Sequence, residues 1–222
     1  MSNVVGQRLP WRVMRWLNVH WPRAFQLLRY GTSNVNTAEH WDDAWRRHGR
    51  DGYRATGEIL PVRERVLAAT PTGATVLDVG CGVGEMLALL HVERRCDCSG
   101  VDIAPSAVAA VRARGFRAET TVLPAIPHPD AAFDVVVCTE TLEHVSDARA
   151  TLREIRRVLR PDGRLLLSVP DGTVDEEEVH VHRFSAPRLE RELAPHFAEV
   201  HVERLVDDME PTLFATASGI RQ

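Results

Sequence analysis

From Ala74 onward, short apolar runs alternate with segments of helical length. The runs cover 75–79, 99–102, 117–121, 134–138, 164–169, 199–205 and 212–217; segments 84–92, 105–114, 147–159 and 186–194 lie between them. Strands separated by helices predict a mostly parallel sheet with helical crossovers on both faces, a doubly wound α/β fold. The helical period is clearest in 147–159, where Leu152, Ile155, Val158 and Leu159 share one face and Arg153, Glu154, Arg156 and Arg157 lie away from it. The last two runs have no helix between them. A terminal hairpin is therefore expected to join antiparallel to an otherwise parallel sheet of seven strands.

Upstream the pattern changes. Residues 10–30 read as one or two short helices broken at Pro22, with Trp11, Trp16, Leu17, Trp21, Phe25, Leu27 and Leu28 interleaved with arginines. After a turn-rich connector, Asn36 or Thr37 is placed to cap a helix carrying His40, Trp41, Ala44 and Trp45. A further helix is expected from about Thr56 to Ala69, stopped by Pro71 and Gly73. This divides the chain into an N-terminal helical extension or lid over 1–55 and a sheet domain over 56–222.

At 222 residues, 44% apolar and 26% charged, the chain suits one soluble domain plus an extension. Its basic residues are all arginine, which excludes a lysine Schiff base and a phosphate loop of the Walker type. The net charge of −4 is unevenly spread: residues 1–38 hold Arg8, Arg12, Arg15, Arg23 and Arg29 and no acid. Cys81, Cys96, Cys98 and Cys138 do not resemble a disulfide framework, and Cys96 and Cys98 are too close for paired zinc ligands. These features, with no apolar run near the roughly 20 residues of a membrane span and no signal-peptide core, predict a reduced cytoplasmic protein.

The chemistry is concentrated in VLDVGCGVGE at 76–85, a strand running through a glycine-rich turn into a helix. A dinucleotide fingerprint requires Gly or Ala at position 85; Glu85 stands there, and its carboxylate at a helix start disfavours a pyrophosphate. Asp78 adds a second carboxylate at the strand end. A mouth of carboxylates and open backbone suits a cationic ligand such as S-adenosyl-L-methionine. Asp102 ends the second strand, 18 residues beyond Gly84, where a carboxylate can accept hydrogen bonds from vicinal ribose hydroxyls.

The stretches at 76–85, 100–104, 133–145 and 154–169 resemble the successive motifs of class I S-adenosylmethionine-dependent methyltransferases. FDVVVCTETLEHV at 133–145 is similar in particular to ubiquinone-biosynthesis-type O-methyltransferases. The resemblance covers roughly 55–218 and implies a Rossmann-like sheet whose last strand is antiparallel. It implies that Asp78, Gly80 and Gly82 hold the methionine end of the cofactor and Asp102 the ribose. Cys81, Gly84, Ile103, Thr139 and Glu140 complete the expected contacts. Many relatives carry an acid for the adenine amino group before the turn after strand three; TVLPAIP at 121–127 has none, so backbone groups near Val122 and Leu123 are expected to serve.

Transfer to oxygen or nitrogen needs in-line positioning and, usually, a base. His144, beside Glu140 and Glu143, and His180 are the expected catalytic residues, although each also suits a structural role. His182 reads as solvent-facing and the acidic run 175–178 as solvated loop; a metal site from His180, His182 and 176–178 is considered, and no metal is expected. Trp41 and Trp45 share a helix face and suit a lid over a small-molecule acceptor, or core packing. For residues 8–30 a homodimer or packing contact ranks first, an anionic or lipid-linked acceptor second and weak membrane-surface contact third. Nucleic acid is not expected. The leading expectation is methyl transfer to a hydroxyl of a small molecule. Nitrogen or carbon acceptors, a non-catalytic scaffold and an NAD-linked oxidoreductase are the alternatives.

Overall fold

The computed structural model describes residues 10–21, 24, 28, 35–55, 60–206 and 211–221. Arg8, Pro22, Arg23, Phe25, Leu27, Arg29 and the predicted helix start at Thr56 lie outside them. The helices are α1 (Trp11–His20), α2 (Ala38–Ala55), α3 (Leu60–Ala69), α4 (Glu85–Arg94), α5 (Pro105–Ala113), α6 (Ala148–Val158) and α7 (Ala186–Leu193). The strands are β1 (Thr75–Val79), β2 (Asp97–Asp102), β3 (Arg117–Thr120), β4 (Phe133–Thr139), β5 (Leu159–Pro170), β6 (Phe197–Leu205) and β7 (Thr212–Ile220).

The seven strands form one sheet in the order β3-β2-β1-β4-β5-β7-β6. Pairings from β3 to β5 are parallel, whereas β7 runs antiparallel to both β5 and β6. The expected hairpin is therefore present, but only its second strand is reversed, and that strand is inserted between β5 and β6. Placing β1 beside both β2 and β4 creates the point where strand order reverses, the usual ligand crevice of an open α/β sheet.

The side-chain alternation of the strands supplies two cores. On one face Leu77, Val136, Leu165 and Leu167 meet Leu152 and Ile155 of α6 and Leu189 and Leu193 of α7. On the other, Val76, Val135, Val137 and Leu166 meet Val66 of α3, Leu87 and Leu90 of α4, and Val108 and Val111 of α5. Asp147 caps α6, its Oδ1 accepting the Ala150 N–H at 2.9 Å. Thr37 caps α2 as expected: its Oγ1 accepts the His40 N–H at 3.2 Å. β5 begins at Leu159 rather than Arg164, because buried Leu159 pairs with Phe133 across a register shift. All four cysteines are free and buried. Among the described residues no helix is long and apolar enough to cross a membrane.

Candidate functional site

The site begins where β1 ends. Gly80 and Gly82 adopt positive φ angles of 79° and 49°. Space excludes other residues as well: a Cβ at Gly80 would lie 2.1 Å from Thr141 Oγ1, and one at Gly82 would lie 2.6 Å from the Trp45 ring. The turn is tied to β2 through Val101 O, which accepts the Gly80 and Cys81 N–H groups at 2.8 and 3.0 Å. Asp102 completes the tie, Oδ2 accepting the Gly82 N–H at 2.8 Å and Oδ1 the Ala104 N–H at 2.9 Å. The carboxylate at the end of β2 thus shapes the glycine turn as well as facing the cavity.

Asp78 is 2% exposed, and its Oδ1 has no hydrogen-bond partner. Burial and the neighbouring Asp102 carboxylate push its carboxyl up to about 7. Glu85 is engaged: its Oε1 accepts from Arg114 Nη1 at 2.9 Å, so part of its charge is already compensated. The repulsion expected from Glu85 toward a pyrophosphate is correspondingly weaker.

A cavity of about 140 Å³ opens beside this turn. Of the expected cofactor residues, Gly80, Asp102, Ile103, Val122, Leu123 and Glu140 line it; Asp78, Cys81, Gly82, Gly84 and Thr139 do not. Cys81 is buried with its thiol pushed up by burial, and Gly82 is covered by Trp45. Thr121 and Thr141 also line the cavity and were not singled out in the sequence. The close approach of Thr141 to Gly80 depends on a contact 61 positions apart, which no local pattern reveals.

The Glu140–His144 end of the lining adds further titratable groups. Glu140 lines it in a left-handed conformation (φ 49°), accepting from Ser168 Oγ at 2.7 Å, and burial pushes its carboxyl up to about 7. His144 also lines it, and burial, followed by the neighbouring His180, pulls its imidazole down to about 3. His180 does not line the cavity; its ring packs edge-on against that of His144, centroids 4.8 Å apart. His180 Nδ1 lies 2.8 Å from Asp175 Oδ2, and Asp175 also pairs with Arg183.

Two expectations are overturned at this end. Asp175 is 2% exposed rather than solvated, because the loop folds it against His180 and Arg183. His182 is buried as well, its Nε2 2.8 Å from Val145 O. Among the described residues, His180, His182 and 176–178 do not come together at metal-ligand spacing. Instead Glu143, His144 and His180 bring one ligand atom each within 4.8 Å of one another. Glu143 is 1% exposed, neither carboxylate oxygen is hydrogen-bonded although Oε1 lies 3.7 Å from His144 Nε2, and burial pushes its carboxyl up. An orphaned buried carboxyl beside two imidazoles fits a divalent cation.

Helix α2 lies across both ends. Trp45 covers Gly82, and Trp41 packs edge-on to His144 with centroids 4.7 Å apart. Asn36, just before the helix, donates from Nδ2 to Val179 O at 2.8 Å. Trp41, Trp45 and Asn36 all line the cavity.

A family model described as "Methyltransferase domain" matches residues 46–209. The chain belongs to this family. Among relatives of the chain, the uncharacterized methyltransferase YcgJ of Bacillus subtilis is 34% identical over 128 residues, 53% of this chain and 50% of that protein. A ubiquinone biosynthesis O-methyltransferase of Xanthomonas oryzae pv. oryzae is 35% identical over 108 residues, 46% of this chain and 45% of that protein. The chain thus spans about half the length of the curated relatives it matches. The fold is that of the Burkholderia thailandensis 1,6-didemethyltoxoflavin-N1-methyltransferase, solved with 1,6-didemethyltoxoflavin and S-adenosylhomocysteine: TM-score 0.67, 24% identity, covering 81% of this chain and 85% of that one.

Proposed function

We propose that the methyltransferase moves a methyl group from S-adenosyl-L-methionine to a hydroxyl of a small molecule. The observation that carries this reading is a single cavity joining the Gly80–Asp102 end to the Glu140–His144 end. Asp78, with its unpartnered buried oxygen, suits the ligand's α-ammonium, and Asp102 suits the ribose hydroxyls. Ile103 and the backbone near Val122 and Leu123 complete the adenine side.

When bound, S-adenosylmethionine supplies an electrophilic methyl on a sulfonium that leaves as a neutral thioether. The protein's part is to hold the acceptor in line and take its proton. Glu140 suits the second task better than His144, because a carboxyl held near 7 accepts a proton at neutral pH, whereas His144 is held as the weakly basic neutral ring. His144 then orients the acceptor hydroxyl, and His180, fixed by Asp175, orients His144. Nitrogen and carbon acceptors share the cofactor half of this scheme, so identifying the methylated atom in the product separates them.

Glu143 favours a second reading of the acceptor end: a divalent ion on Glu143, His144 and His180 that lowers the hydroxyl's pKa as a Lewis acid. Titration of manganese(II) into the protein, with Glu143→Gln as control, decides between the two. The extension over 1–55 is proposed as the lid. Trp16 of α1 and Trp21 just after it are exposed, which suits a homodimer contact ahead of an anionic acceptor or an anionic lipid surface for that segment, and sedimentation with and without anionic vesicles distinguishes the first from the last.

The cofactor reading is tested by thermal unfolding with S-adenosylhomocysteine. Saturation at 100 times the dissociation constant adds about 2.7 kcal/mol, a rise of roughly 5–10 °C for a domain of this size. Asp102→Ala should abolish the rise. No rise with the wild-type chain would favour a scaffold.

A further inference from the structure

Helix α5 starts immediately after the Asp102–Ile103 corner, yet it has no cap of its own. Its N-cap position is Ala104, no side chain caps it, and its first turn contains no acid. Unsatisfied N–H groups at a helix start need an acceptor. Here the acceptor comes from 64 residues away: Asp42 Oδ1 on α2 accepts the Ser106 N–H at 2.6 Å, and Ser106 Oγ donates to the Asp42 carbonyl at 3.3 Å. The other Asp42 oxygen meets Arg46 Nη2 at 2.9 Å, one turn along α2. The Asp42 side chain is only 15% exposed.

The neighbours of Asp42 on α2 give this contact its consequence. Trp41 packs on His144 at the acceptor end, and Trp45 lies on Gly82 at the cofactor end. One turn of helix therefore spans both halves of the cavity, and Asp42 between the two indoles fastens that turn to α5.

We infer that Asp42 is a positioning residue: by capping α5 from the neighbouring helix, it holds Trp41 and Trp45 over the cavity and sets the rate at which cofactor exchanges. This rests on the proposed binding of cofactor between Gly80 and Asp102. Closing the site and excluding water requires α2 to be seated, and releasing the ligand past Trp45 requires it to lift. The Asp42–Ser106 hydrogen bonds break when it lifts, so they add to the barrier for release.

The test is stopped-flow displacement of S-adenosylhomocysteine, followed by tryptophan fluorescence well below the unfolding midpoint of every variant. Asp42→Ala should speed release by roughly fivefold, the rate equivalent of a lost helix cap. Asp42→Asn keeps an oxygen that accepts the Ser106 N–H and should restore most of the slow release. Ser106→Ala keeps the backbone donor but loses the longer Oγ–carbonyl bond, and should release faster than wild type but more slowly than Asp42→Ala. A residue that merely supports the fold would lower the unfolding midpoint in Asp42→Ala without changing the release rate, and that result overturns the inference while leaving the cofactor reading intact. Equal acceleration in Asp42→Ala and Asp42→Asn overturns capping as the cause. If the wild-type chain binds no S-adenosylhomocysteine, both readings fall.

Discussion

Ligand binding and proton release should be coupled at Asp78. Its buried carboxyl has an unpartnered oxygen and is pushed up to about 7 from an ordinary 3.8, so below neutrality the free protein holds a proton there. An α-ammonium at that carboxyl favours the ionised form and expels the proton. A tenfold change in proton affinity corresponds to about 1.4 kcal/mol. Restoring the ordinary value would therefore strengthen ligand affinity about tenfold for each pH step of one, from roughly pH 4 to pH 7. Affinity rises with pH and levels off above 7. Calorimetric titration of S-adenosylhomocysteine at pH 5, 6, 7 and 8, in buffers of different ionisation enthalpy, counts the protons directly. Because Glu140 titrates in the same range, Asp78→Asn assigns the slope. Flat affinity between pH 5 and 7, or an unchanged slope in Asp78→Asn, would refute the reasoning.

The raised Asp78 carboxyl has a stability counterpart. A carboxyl whose folded value lies above its unfolded value stabilises the fold below the unfolded value and loses that contribution as pH rises toward 7. Asp78→Asn should thus stabilise the ligand-free protein at pH 7 relative to pH 4, by up to about 4 kcal/mol, read from urea unfolding at the two pH values. His144 acts in the opposite sense, its depressed imidazole costing stability as pH falls from 6.5 toward 3, so acid unfolding should be shallower in His144→Gln. Gly80→Ala forces a Cβ to 2.1 Å from Thr141 Oγ1 and should cost about 1–3 kcal/mol; a simultaneous Thr141→Ala should recover part of the loss. Asp175→Asn removes the partner of buried Arg183 and His180 and should cost about 3–5 kcal/mol; a midpoint within a degree of wild type would show that the loop rearranges freely.

Periodicity made most of the fold legible, because helices such as α6 bury one face and the central strands alternate their side chains between two cores. Leu152 and Ile155 at helical spacing and Val135 to Val137 in strand alternation pack where those periods place them. Strand order is different: no period records that β7 enters between β5 and β6. The early start of β5 is not legible because Leu159 fits the helical period of 147–159, while its pairing with Phe133 is long-range. At the site, the spacing of glycines and Asp102 reflects a local strand–turn–helix geometry and was readable. Contacts that cross loops were not, among them Asp175 with His180, Thr141 with Gly80, and Asp42 with Ser106. Nor did the acidic run at 175–178 announce that its first member turns inward while the next three face water.

The placement of β7 bears on how the chain assembles as it is made. β5 emerges with one edge that only β7 can pair, and β6 has no partner of its own until β7 arrives. Among the described residues, β6 pairs within the sheet only with β7, a strand synthesised after it. Until then the nascent chain carries an open edge on β5 next to the buried Leu165–Leu167 stretch, a ready template for pairing with another chain. A slow step in making β7 would therefore be paid for in aggregation well before it was visible as lost activity.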